Sequence, residues 1–177
     1  RGRHVEVLVG EPRERAVVAA IPDFVVATLC GTTPRTDVTH AYGHGALDVE
    51  TLDWHRAAIE KLGLARVDWP EIVPQGTVVG EVTVGSRRLP IYAPVGDYQC
   101  SQVGAFLDDG ELSVNISTGS AVIQLARGCE FGDFQTRPYF DGRFLRTITH
   151  IPGGRALNAL VRLLGELAAA QGHRLRD

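Results

Sequence analysis

Methionine is absent from the 177 residues, and cysteine occurs only three times. Cys30, Cys100 and Cys129 are odd in number, far apart, and form no C-x-x-C pair. That spacing gives neither a thiolate zinc site nor a redox dithiol. Each stands in apolar sequence, so buried free thiols are expected, and a reducing cytoplasm suits them best. No apolar run approaches the roughly 18 to 20 residues of a membrane span, so no membrane partner is expected. Neither sign of charge dominates: 18 Lys and Arg stand against 21 Asp and Glu, and the formal net charge is −3. The longest basic cluster is Arg87-Arg88. Nothing there makes an electrostatic case for nucleic acid or anionic lipid. Internal repeats and low-complexity tracts are also missing. With no Met and a start at Arg1-Gly2-Arg3, the chain reads as a piece of a longer protein.

What is present is ordinary for a soluble globular protein: 44% apolar and 22% charged residues. Val5 to Val9 alternates like a short strand. Glu11-Pro12 opens a helical pattern that Pro22 interrupts, and Asp23 to Leu29 continues it as far as Gly31. Gly45 to Val49 suggests a brief strand. Thr51 is placed to cap a helix over Leu52 to Leu62, with Trp54, Ala58 and Leu62 on one face. Asp68 to Gly76 reads as a Pro-bearing loop. Val78 to Val84 and Leu89 to Val95 read as strands around a Gly85-Ser86 turn. Tyr139 to Phe144 resembles a hairpin with an Asp-Gly turn, and Thr147 to Ile151 a short strand. Gly153-Gly154 opens the clearest helix, with Leu157, Leu160, Val161, Leu164 and Leu167 on one stripe and Gly172 at its end. Helix-rich sequence gives way to strand-rich sequence near Pro90 to Pro94, which divides the chain into 1–90 and 91–177.

The chemistry concentrates between Ile91 and Leu125. A lone carboxylate, Asp97, sits where an apolar run becomes a helix, and about twenty residues later comes the small turn Ser117-Thr118-Gly119-Ser120. A carboxylate at a strand end can take a proton from an alcohol. It can equally be a plain helix N-cap. A Ser/Thr/Gly turn with free N–H groups can hold phosphate, and it can also be an ordinary β-turn. Together the two suggest phosphoryl transfer to a hydroxyl.

Four segments resemble the FGGY carbohydrate kinases, which include glycerol kinase, xylulokinase and sedoheptulokinase. GDYQCSQVGAF (96–106) is similar to the family's Gly-Asp-x-Gln segment, and NISTGSAV (115–122) to the phosphate hairpin that follows it. TDVTHAYGHGALDVETLDW (36–54) resembles a first-domain segment that begins at a Thr-Asp pair. IPGGRALNALVRLL (151–164) resembles the Gly-led helix beside the nucleotide. GDYQCS and NISTGS look closest to sedoheptulokinase-like members. The resemblance implies a ribonuclease-H-like, actin-type ATPase fold of two α/β domains, with ATP and sugar in the cleft. On it, 1–90 ends the sugar-binding first domain and 91–177 begins the nucleotide-binding second. The family's Asp-x-Gly-Thr hairpin would lie upstream and its late Gly-rich adenosine loop downstream.

The same resemblance implies roles. Asp97 matches the catalytic aspartate, which accepts the proton of the attacking hydroxyl. Ser117, Thr118 and Gly119 match the hairpin that holds the β- and γ-phosphates of ATP, with Ser117 where Gly is usual. Gly154 and Asn158 match positions facing the nucleotide, four residues apart on one side of a helix start. Tyr98 stands where glycerol kinase has a substrate-touching Gln, so it is either a sugar contact or a packed aromatic. Mg²⁺ would be held mainly by ATP phosphates, with Asp97 reached through water. His40 and His44 have the i, i+4 spacing of a metal pair but no third ligand in the sequence around them, so no metal site is assigned. The expected activity is transfer of the γ-phosphoryl group of Mg-ATP to a ketose or polyol. A non-catalytic sugar- or nucleotide-sensing relative is the rival. The family's dimers and tetramers leave a homodimer open.

Overall fold

The structure, a computed structural model, describes residues 16–172. The strand read at Val5 to Val9 and the helix start at Glu11-Pro12 lie outside the described residues. The chain divides into two compact units, Arg1–Cys100 and Ser101–Asp177.

In the first unit, helix α1 spans Ile21–Cys30, with Pro22 in its first turn and Gly31 at φ 66° closing it. Pro22 therefore starts this helix instead of interrupting one. Its missing N–H costs nothing there, because first-turn N–H groups have no intrahelical partner. Strand β1 (Arg35–Asp37) leads into the four-residue helix α2 (Val38–Ala41) and a 3₁₀ turn at Tyr42–His44. Two-residue strands β2 (Leu47–Asp48) and β3 (Asp53–Trp54) pair antiparallel. Helix α3 then runs only over Arg56–Lys61, capped by His55 and not by Thr51. The Asp48 carboxylate accepts the N–H groups of Glu50 and Thr51, folding that segment into a turn that competes with a longer helix. Trp54 is buried on the strand, its indole N–H donating to Pro70 O at 2.7 Å, whereas Leu62 is exposed. The expected Trp54–Ala58–Leu62 helical face is thus replaced by a core of Ala41, Ala46, Trp54 and Ile59.

The Pro-bearing loop contains a strand, β4 (Glu71–Val73), parallel to β1 in the register Asp37↔Val73. Strands β5 (Val78–Val84) and β6 (Arg87–Tyr92) form a hairpin around Gly85, at φ 63°. Val73, Val79 and Ala93 join Val26 and Ile91 in a second apolar cluster. Helix α4 (Asp97–Gly104) follows, and the unit ends within it.

The second unit is built on one antiparallel sheet. Its strands are β7 (Leu112–Asn115), β8 (Gly119–Ala126), β9 (Gln135–Pro138) and β10 (Phe144–Pro152), in the order β7-β8-β10-β9. Ala121, Ile123 and Leu125 alternate inward on β8. They meet β10 in the register Leu125↔Leu145 and Ile123↔Thr147, and Leu145 and Thr147 are wholly buried. The Asp-Gly turn joins β9 to β10, with Asp141 and Gly142 at φ 57° and 69°. That left-handed pair matches the hairpin reading. Helix α5 (Gly154–Ala170) ends the described fold. Its Leu157, Leu160, Val161, Leu164 and Leu167 stripe is exposed within the described residues.

Candidate active site

Asp97 is the first residue of α4, directly after the buried Gly96. Its side chain is exposed, and its Oδ1 accepts the N–H of Tyr98 at 2.7 Å. The carboxylate therefore serves the helix start, since negative charge is favoured beside unpaired first-turn N–H groups. It does so while exposed, so its second oxygen is accessible from outside the fold of this unit. Tyr98 is half-buried on the same turn.

The backbone before Asp97 is held from a distance. Gly96 N–H donates to Thr39 Oγ1 at 3.0 Å, and Pro94 O accepts the N–H of Asp37 at 3.0 Å. A Cβ on Gly96 would lie 2.9 Å from Thr39 O and 2.2 Å from Gln99 Oε1, so only glycine fits. Asp37, Thr39, Gly96 and Gln99 lie in segments singled out from the sequence, but the sequence reading gave none of them a role of its own. The Asp37-Val38-Thr39 spacing, an acceptor two residues before a donor, was the available signal.

In the second unit the structure brings Ser117, Gly119, Gly153 and Gly154 together. Gly154 N–H donates to Ser117 O at 2.7 Å, and the Ser117 hydroxyl donates to Gly119 O at 2.7 Å. A Cβ on Gly153 would lie 2.4 Å from both Ser117 O and Ser120 Oγ. The bend at Ser117-Thr118 is thus pinned against the start of α5. Ser117, Thr118 and Gly119 remain exposed, and so does Asn158 one turn along the helix. Exposed small residues beside the N-terminus of a 17-residue helix suit an anion. The Ser117 hydroxyl hydrogen is committed to Gly119 O, so this side chain shapes the turn. Asp97 belongs to the first unit and this turn to the second.

Two expectations need correction. None of the cysteines is in a disulfide, but none is fully buried, and Cys100 is exposed. Cys100 follows the buried Gln99, and the next helical position turns outward. His40 and His44 do have a third group nearby. The Asp23 carboxylate, wholly buried, has its Oδ2 3.1 Å from His44 Nε2 and 3.6 Å from His40 Nε2. The His44 ring also meets Trp54 edge-on at 5.4 Å. Burial acts to raise the Asp23 carboxyl. The His44 hydrogen bond, the His40 charge and the Ala20 N–H outweigh it and hold the group below its ordinary value. Among the described residues no three His, Cys, Asp or Glu side chains are arranged to hold a metal ion. Asp109 lies on the turn before β7. It pairs with Arg127 at 2.7 Å, which lowers its carboxyl.

Comparison with known proteins gives a consistent picture. No family model matches the chain. Glycerol kinase of Chloroflexus aurantiacus is 35% identical over 89 residues, 50% of this chain and 18% of that protein. Glycerol kinase of Leifsonia xyli is 33% identical over 96 residues, 52% of this chain and 19% of that protein. Xylulose kinase from Rhodospirillum rubrum superposes with a TM-score of 0.74 at 22% identity, over 96% of this chain and 38% of that one. About half of this chain is thus similar in sequence to part of the glycerol kinases. Its mixed α/β fold is like that of the matching part of the xylulose kinases. Plasmodium falciparum glycerol kinase, solved with ADP, superposes with a TM-score of 0.68 at 20% identity, over 82% of this chain and 32% of that one. The chain spans about a fifth of the length of the glycerol kinases it matches.

Proposed function

We propose that the polypeptide carrying this chain is a sugar or polyol kinase that moves the γ-phosphoryl group of Mg-ATP to a ketose or polyol hydroxyl. The observation that carries this is the placement of Asp97. It is an exposed carboxylate on the first residue of a helix, on a backbone gripped by buried hydrogen bonds, in a segment that resembles the family's Gly-Asp-x-Gln motif. Residues 1–90 would continue the sugar-binding domain and 91–177 begin the nucleotide-binding one.

ATP, when bound, supplies the phosphoryl group and most of the ligands for Mg²⁺. The chain's own residues position and accept. Asp97 takes the proton of the attacking hydroxyl as the oxygen closes on phosphorus. Thr118 and Gly119 offer N–H groups to phosphate oxygens, on a turn whose shape is fixed by Ser117 and Gly154. Gly154 leaves the start of α5 bare, and Asn158 faces the same side for the nucleotide. Tyr98 borders the acceptor.

The named relatives act on glycerol, xylulose and gluconate, and GDYQCS and NISTGS add sedoheptulose to the candidates. Release of ADP by the full-length polypeptide should therefore be measured against glycerol, xylulose, gluconate and sedoheptulose. Acceptor-dependent release with one of them supports the kinase reading and names the substrate. No acceptor-dependent release, with ATP or a sugar still raising the melting midpoint, supports a sensing relative instead.

A further inference from the structure

Asp37 and Thr39 have no part in the reaction as proposed, yet they are 2% and 3% exposed and polar. Buried polar groups are costly unless hydrogen-bonded, so their partners are informative. Asp37 Oδ1 accepts the Thr39 N–H at 2.8 Å and also the Thr39 hydroxyl. With its hydrogen committed to Asp37, the Thr39 oxygen has lone pairs to offer, and it accepts Gly96 N–H across 57 positions of sequence. Asp37 N–H holds Pro94 O from the other side of Val95. The two bonds fix the backbone on which Asp97 begins its helix.

Asp37 is also the N-cap of α2, which by itself would explain its bond to the Thr39 N–H. Capping does not explain why the Thr39 hydroxyl bridges to Gly96, nor why Gly96 lies too close to Thr39 O to carry a side chain. We propose that Asp37 and Thr39 are positioning residues that act through Gly96 to set the place and direction of Asp97. This rests on the reading of Asp97 as the base. A displacement of about 1 Å at a reacting group can cost about 100-fold in rate, so a lost relay should appear in kcat.

The test is steady-state kinetics of the full-length polypeptide with its best acceptor, comparing wild type, Thr39→Val, Thr39→Ser and Asp97→Asn. Thr39→Val keeps the shape and removes the hydroxyl. We expect kcat to fall about 100-fold with KM for ATP and acceptor within about threefold of wild type, and Thr39→Ser to recover most of the loss. If Thr39→Val does not stay folded, Asp37→Asn takes its place, because it keeps the capping oxygen and weakens the relay. A fall of about tenfold in kcat is then expected. An inactive Asp97→Asn beside a folded Thr39→Val, or Asp37→Asn, at wild-type kcat overturns the positioning role alone. Asp97→Asn at wild-type rate overturns the base reading and this proposal with it.

Discussion

Two junctions leading into helices can be set side by side, Gly96-Asp97 and Gly153-Gly154. Both put a glycine where a side chain would collide, and both start a helix assigned to the reaction. They are held by different means. The first is gripped by the buried Thr39 hydroxyl, 57 positions away and itself held by the Asp37 carboxylate, together with the Asp37 N–H. The second is held by backbone, Gly154 N–H to Ser117 O, with one serine hydroxyl folding the turn. Side-chain anchoring makes the first depend on the identity of distant residues. Backbone anchoring makes the second depend on the absence of side chains nearby.

Gly153→Ala should show the largest effect on stability. Its Cβ would lie 2.4 Å from Ser117 O, a backbone atom with nowhere to go. A loss of about 3 kcal/mol is expected in urea unfolding, at the upper end of overpacking costs. Gly96→Ala should lose somewhat less, about 2 kcal/mol, because the closest clash is with a side-chain atom, Gln99 Oε1, and only the Thr39 O contact is backbone. Equal losses would erase the distinction drawn between the junctions.

Asp23→Asn probes buried side-chain anchoring elsewhere in the first unit and should cost about 1.5 kcal/mol at neutral pH. The sign with pH follows from the lowered carboxyl. The native state holds Asp23 ionised below the ordinary value of 3.8, so its contribution is present above that pH and is lost as pH falls through the native value. An acid titration of the melting midpoint should show wild type and Asp23→Asn converging below about pH 3.8, and a constant gap would contradict the ion cluster. Gly119→Ala should have the smallest effect. A Cβ there meets nothing within 4 Å, so stability should change by less than about 0.5 kcal/mol. Any effect on Gly119→Ala should appear in KM for ATP, where phosphate needs the close approach.

The same contrast explains what could be read from sequence. The Gly153-Gly154 helix start, the Asp141-Gly142 turn and the β5–β6 hairpin are local, and glycine and alternation announce them. Asp97 and the Ser117 turn stood out because their residue types sit at element ends. The short helix α3 and the strand β4 were not legible. Asp48 bends its own turn, and β4 exists through its parallel pairing with β1 thirty-six positions earlier. The Asp37–Thr39–Gly96 relay and the Asp23–His40–His44 cluster were hidden for the same reason, because contacts between distant segments leave no periodic trace.

The most direct test of the account is Asp97→Asn in the full-length polypeptide, assayed by acceptor-dependent ADP release with acceptor and ATP affinity measured separately. The account predicts kcat lower by about 10²- to 10⁴-fold with both affinities nearly unchanged. Turnover at the wild-type rate would contradict it.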